Sequence, residues 1–212
     1  MGAWLSSLEE VTFDRTLAAA RQAISANCDP SDPAHAARVR EWLNAWGCRL
    51  RKPRTGDASD PFVTNLAAWW QVYADKLGHD MRTMTQLDDT KIAALADAYD
   101  ALRQLETSPS NSQRRRRIGS TAAAKVLFFL YPETVTAWDR RIAQYFGDGD
   151  GYAGFAAHLA RCRGWAKTIV DDAATAGIPA SEIGPAVSRP TSSVAKLIDE
   201  YLYQVVSRGK RF

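Results

Sequence analysis

The chain has 212 residues, 46% of them apolar, which is enough for one sizeable core and too apolar for global disorder. Net charge is only +3, yet 20 of the 27 basic residues are Arg, whose planar fork suits phosphates and base edges better than a lysine point charge does. No stretch is long and apolar enough to span a bilayer, since the best run, Ala122 to Leu130, is interrupted by Lys125.

Taken in chain order, the first residues, Met1-Gly2-Ala3-Trp4-Leu5, lack the basic start and long apolar segment of a signal peptide. Gly2 with Ser6 formally fits the myristoylation pattern, which a start-codon remnant also produces. Ser6-Ser7-Leu8-Glu9 reads as a capping box opening a helix to about Ala26. A second helix is predicted from Ala34 to Trp46, ending at Gly47, followed by a basic Pro/Gly/Asp loop over 49–61. Phe62 to Leu77 carries an apolar face with Trp69, Trp70 and Tyr73. Asp88 to Leu105 places Ile92, Leu95, Ala96, Tyr99 and Leu102 at helical spacing. Residues 106–113 form a Ser/Pro/Asn-rich loop, and Ser120 to Leu130 a short, almost wholly apolar helix stopped by Pro132. Asp139 opens a helix to Phe146, broken by Gly147-Asp148-Gly149-Asp150-Gly151. Tyr152 to Ala176 is helical with a break near Gly164, Pro179 to Arg189 makes short turns, and Pro190-Thr191-Ser192-Ser193 caps a last helix to about Val206. No strand-like alternation and no internal repeat is visible. The expectation is an all-α chain.

Cys28, Cys48 and Cys162 and the histidines His35, His79 and His158 match no metal-ligand spacing, and an odd cysteine count argues against a disulfide framework. No metal and no cofactor are expected, and reduced thiols suit a cytoplasmic protein. A GC-rich genome raises Arg and Ala together. It accounts for the arginine total but not for Arg114-Arg115-Arg116-Arg117 or Arg49-Leu50-Arg51-Lys52-Pro53-Arg54.

The most informative segment runs from Arg117 to Ile142. A glycine turn, Arg117-Ile118-Gly119, follows the basic run and opens the Ser120 helix. A loop bearing Pro132 follows, and Trp138-Asp139-Arg140-Arg141-Ile142 then starts the next helix. Free amides at a helix start can hold a DNA phosphate. A buried helix fixes the distance from that turn to Asp139. A carboxylate at a helix N-terminus is favoured by the unpaired amides and the dipole. Such a fixed negative charge is what cleavage of an N-glycosidic bond requires, because the sugar becomes oxocarbenium-like as the base departs.

These residues resemble the helix-hairpin-helix DNA glycosylase superfamily, and most of all its bacterial 8-oxoguanine-glycosylase-like group. That superfamily has a glycine-rich hairpin, a helix, a proline-containing loop and an Asp opening a further helix. The separation from Ser120 to Asp139, 139 − 120 = 19 residues, is close to the family's distance from hairpin end to catalytic Asp. The match covers about 30 of the 212 residues. The hairpin is degenerate, with Arg117-Ile118-Gly119 where the family has Gly-x-Gly. Ser120 and Thr121 stand where bifunctional members carry a catalytic Lys, and neither can form a Schiff base.

The resemblance implies a two-lobed helical fold around a central cleft, with one lobe over about 31–131 and the other combining 1–30 with 132–212. It implies a monofunctional enzyme that flips a modified base out of double-stranded DNA and hydrolyses its bond, in repair or antiphage defence. Asp139 is then catalytic, and Lys125, one helical turn beyond Thr121, is the substitute nucleophile if the alignment slips. Arg114, Arg115, Arg116, Arg117, Gly119, Ser120, Thr121, Arg140 and Arg141 hold DNA, and Trp69, Trp70, Tyr73 or Trp138 stacks on the base. A monomer associated with the nucleoid is expected. Each residue also has an ordinary role: Asp139 as a cap, Lys125 as a snorkelling side chain, the aromatics as core, the arginines as a solvated loop. Two further readings stay open. One is a non-catalytic helix-turn-helix module over Ala180 to Tyr203, although Leu197, Ile198, Tyr201, Leu202 and Val205 make its second helix largely apolar. The other is a catalytically dead or partner-binding helical protein.

Overall fold

The computed structural model describes residues 20, 28–50, 60–78, 83–108 and 115–209. The helix expected over Ser6–Ala26 lies outside them except for Ala20, which is helical, as do the basic stretch 51–59 and Arg114. Among the described residues the fold is all helical, with no strand beyond a single antiparallel bridge between Glu106 and Arg117.

From Pro33 onward the described residues hold eight α-helices: α1 (Pro33–Ala45), α2 (Pro61–Leu77), α3 (Asp89–Gln104), α4 (Ser120–Leu130), α5 (Arg140–Phe146), α6 (Tyr152–Thr175), α7 (Ile183–Ala186) and α8 (Val194–Leu202). Their starts are set by side-chain caps. Asp32 and Asp60 each accept backbone N–H groups ahead of a proline that begins the helix, and Asp88 and Ser193 accept from Lys91 N and Lys196 N. The α6 helix runs past Gly164 without a break. A mid-helix glycine costs about 1 kcal/mol, and burial of Phe155, His158, Leu159, Cys162 and Ala166 on the same helix outweighs it. The last helix is α-helical to Leu202 and continues as a π-helix over Tyr203–Ser207, in line with the expected end near Val206.

The apolar α4 sequence makes it the central element. Seven of its residues, from Ala122 to Phe129, are buried, and it packs on α1 and α3. Helix α3 in turn packs on α2 and α6, and α6 on α8. One continuous core runs from Ala36 to Leu202. Of the aromatics that were either core or candidates for stacking on a base, Trp69 and Trp70 are core: both are buried, and Trp69 Nε1 donates to Ala98 O at 3.0 Å. Tyr73 stacks on Trp69 at 5.5 Å.

The connection between α4 and α5 is bolted at several points. Met84 N donates to Glu133 O at 3.0 Å, Ser193 Oγ to Pro132 O at 3.2 Å and Tyr131 OH to Gly78 O at 3.3 Å. Under it lie Thr136 and His158, with Oγ1 and Nε2 2.7 Å apart, and Cys162 Sγ 3.7 Å from that nitrogen. Trp138, 1% exposed, rests on the His158 ring at 4.5 Å. Asp139 is therefore presented from a rigid mount.

The helix-turn-helix reading of 180–203 does not survive. Helix α7 has four residues, and Ala195 to Glu200 of α8 are all buried, so no face of α8 is left to enter a groove.

Candidate functional site

Asp139 caps α5 through Oδ1, which accepts from Ile142 N at 2.9 Å. Lys125 projects from the middle of α4, where its Nζ donates to Trp46 O at 3.3 Å and lies 5.5 Å from the centre of the Trp46 ring. Both residues line one cavity of about 140 Å³. Trp138 and Ile142 from the α5 start, Trp46 from the end of α1, and Tyr203 supply its apolar walls. Lys196, Asp199 and Glu200 of α8 complete it.

The charges of this cavity are not equivalent. Lys196 Nζ lies 2.9 Å from Asp199 Oδ2 and 3.8 Å from Glu200 Oε1, and Arg189 Nε lies 3.5 Å from Glu200 Oε2. Those α8 carboxylates are thus neutralised by cations. Asp139 and Lys125 form no ion pair with any described residue, so one unpaired carboxylate and one unpaired ammonium share the cavity. Burial pushes the nearby Cys48 thiol above its ordinary value, with the Lys125 charge acting in the opposite direction.

Of the aromatics named from the sequence, Trp138 lines the cavity and Trp69, Trp70 and Tyr73 do not. Trp46 and Tyr203, which sequence reasoning passed over, take their place. The Lys196-Asp199-Glu200 cluster was missed as well. Its signal was present: three charged residues at i, i+3 and i+4 on a helix otherwise read as apolar.

The glycine turn is built differently from a tight hairpin. Helices α3 and α4 are joined by residues 105–119, whose stems pair through Thr107 N to Arg116 O at 2.8 Å and Ile118 N to Leu105 O at 2.9 Å. Gly119 has φ +77°, a backbone conformation that favours glycine, and its amide donates to Arg103 O at 3.2 Å. That amide is therefore committed. The groups left for an anion are the first-turn amides of α4; Ser120, Thr121 and Ala122, which carry them, line an open depression of about 340 Å³ beside Trp46 and Cys48. Ser120 Oγ is turned to Asp150, 3.3 Å from its carboxylate, because the Gly147–Gly151 loop folds back over this helix start. Gly154 permits the fold-back: a Cβ there would lie 1.7 Å from Gly149 O.

The arginines divide into two groups. Arg115 is bonded to Glu106 at 2.9 Å, and Arg117 to Gln104. Arg116, Arg140 and Arg141 are exposed and form no ion pair with a described residue. A larger cavity of about 420 Å³ lies elsewhere, between Met84, Val170 and the Pro190–Val194 turn, with Glu133 its only ionisable side chain. It lacks the paired functionality of the Asp139 cavity. Among the described residues no three His, Cys, Asp or Glu side chains gather to hold a metal, and no helix is long and apolar enough to cross a membrane.

Comparison with known proteins finds no matching family model, no matching curated protein and no matching solved structure. The glycosylase resemblance thus rests on the sequence of residues 117–142 alone.

Proposed function

We propose that this chain is a monofunctional DNA glycosylase of two-lobed design, acting on a modified base flipped out of duplex DNA. The observation that carries the reading is the convergence of the unpaired Asp139 and Lys125 on one aromatic-walled cavity. The lining also supports the two-lobed arrangement: Trp46 and Lys125 come from 31–131, and every other lining residue from 132–212. A cleft between lobes is where ligands commonly bind.

In this reading the bond from the sugar C1′ to the base nitrogen breaks, and its electron pair leaves on the base. The Asp139 carboxylate stabilises the developing sugar cation and orients a water whose oxygen bonds to C1′. The water's proton passes through Asp139 to the base, so atoms and charge balance. The Lys125 ammonium faces the base as it gains electron density. Exposed Arg116, Arg140 and Arg141 and the α4 first-turn amides hold the phosphates.

The deciding experiment is Asp139→Asn. Asn keeps the shape and caps a helix about as well as Asp does, so folding and duplex binding stay near wild type. Losing the charge beside the developing sugar cation raises the barrier by on the order of 3 kcal/mol or more, hence base release falls ~100-fold or more. Full base release by Asp139→Asn removes the mechanism. A second reading is favoured by one observation, the placement of Lys125 inside the Asp139 cavity: attack by its amine and a Schiff-base intermediate. The hydrolytic reading predicts no borohydride-trapped protein–DNA adduct. An adduct that disappears in Lys125→Ala would establish the second reading instead.

A further inference from the structure

The size and stiffness of the Asp139 cavity bear on which bases it takes. Its volume of about 140 Å³ is close to that of the ~150 Å³ engineered cavity that binds a single benzene ring. Its deep walls have little freedom to retreat. Trp138 is held from behind by the His158 ring at 4.5 Å and the Phe155 ring at 6.4 Å. Ile142 is 4% exposed, and its amide is committed to Asp139. Lys196 and Glu200 are tied to Asp199 and Arg189. Close-packed interiors resist expansion, and overpacking typically costs 1–3 kcal/mol. The side formed by Trp46 and Tyr203 is the more exposed one, and it governs entry rather than depth.

We infer that this cavity selects single-ring bases: it accepts a modified pyrimidine and refuses the fused second ring of a purine. The inference rests on the glycosylase reading and adds a substrate class to it. The flat ring lies between the Trp46 and Trp138 walls, and its polar edge meets the Lys196–Asp199 pair. That pair presents a cationic donor and an anionic acceptor side by side, which matches the alternating acceptors and donors on a pyrimidine edge.

Two measurements on the full chain test this. In the first, duplexes each carrying one modified base are incubated with the protein, and freed bases are identified by mass spectrometry. One panel holds uracil, 5-hydroxyuracil and 5-hydroxymethylcytosine; the other holds 8-oxoguanine, hypoxanthine and 1,N6-ethenoadenine. Release from the single-ring panel only is expected, with Ile142→Ala, which deepens the cavity, bringing two-ring release within about tenfold of it. In the second, free uracil, cytosine, adenine and guanine are titrated against the intrinsic tryptophan fluorescence, since Trp46 and Trp138 line the site. The single-ring bases are expected to quench at concentrations about tenfold or more below the two-ring ones. Equal release from both panels, or equal quenching, overturns the size selection and leaves the glycosylase reading standing. Quenching by single-ring bases with no release from any duplex does the reverse: the size selection survives as a binding property and the enzyme reading falls.

Discussion

At the residue scale, the side chains that meet in the cavity differ in how visible they were in the sequence. Asp139 was legible because an acidic residue followed by a helical pattern is an N-cap whatever else it does, and the structure confirms the cap. Trp46 was not, because a tryptophan at a helix end is indistinguishable from core until the chain folds Lys125 over it. His158 was read as a scattered histidine and turns out to be the packed support of Trp138. Burial lowers its pKa from 6.5 to about 3, and the Arg161 charge adds to the effect. The imidazole is thus neutral in the fold at any pH where the unfolded chain, titrating near 6.5, takes up a proton. Stability from this group is full above pH 6.5 and is lost as pH falls from there toward 3. Between pH 7 and pH 5 the loss should reach about 2 kcal/mol, at ~1.4 kcal/mol per pH unit below 6.5. Urea denaturation at the two pH values checks it: the drop should shrink in His158→Gln, and an equal drop in that variant would locate the titrating group elsewhere.

At the element scale, helix identity was legible and connection geometry was not. Apolar periodicity, the Asp that opens α5 and the glycine and proline breaks located α1 to α6 to within a residue or two, because these are local signals. Within the 105–119 connection, 106–113 was read as a loop and Arg117-Ile118-Gly119 as a glycine turn. Its antiparallel stems and the Gly119–Arg103 bond depend on where α3 ends relative to α4, which is a tertiary matter. Helix α8 was read as largely apolar from Leu197, Ile198, Tyr201, Leu202 and Val205, and its charged residues went unremarked; the ion pairs among Lys196, Asp199, Glu200 and Arg189 allow them to be buried. The Gly119 turn gives this scale its prediction. A Cβ at Gly119 would meet nothing within 4 Å, so Gly119→Ala creates no clash and isolates the cost of φ +77°. With ψ 167° this is a backbone region essentially reserved for glycine, so an L residue there should cost about 1–3 kcal/mol, read as a shift in denaturation midpoint. Because the turn positions the α4 first-turn amides, duplex affinity should fall as well. Unchanged stability would mean that the turn relaxes to another conformation.

At the scale of the whole molecule, a net charge of +3 gives little reason to expect a polyanion partner. The distribution of unpaired arginines gives more. Arg140 and Arg141 directly follow Asp139, and Arg116 lies three residues before Gly119, so these arginines stand in sequence near both ends of the 117–142 segment. Arg115, by contrast, already has Glu106 as a partner at 2.9 Å. A phosphate contact made by an arginine releases condensed counterions, and each such contact adds about 0.9 to the slope of log affinity against log salt. An arginine that must first leave a carboxylate gains less from the phosphate. Duplex binding measured from low to moderate salt should therefore separate the two groups. Arg116→Ala, Arg140→Ala and Arg141→Ala should each weaken binding and flatten the slope by ~0.9, whereas Arg115→Ala should change the slope by much less. Equal effects for Arg115 and Arg116 would mean that the Glu106 pair opens on binding. No change of slope in Arg116→Ala, Arg140→Ala or Arg141→Ala would place the DNA, if it binds at all, on a different face from the Asp139 cavity.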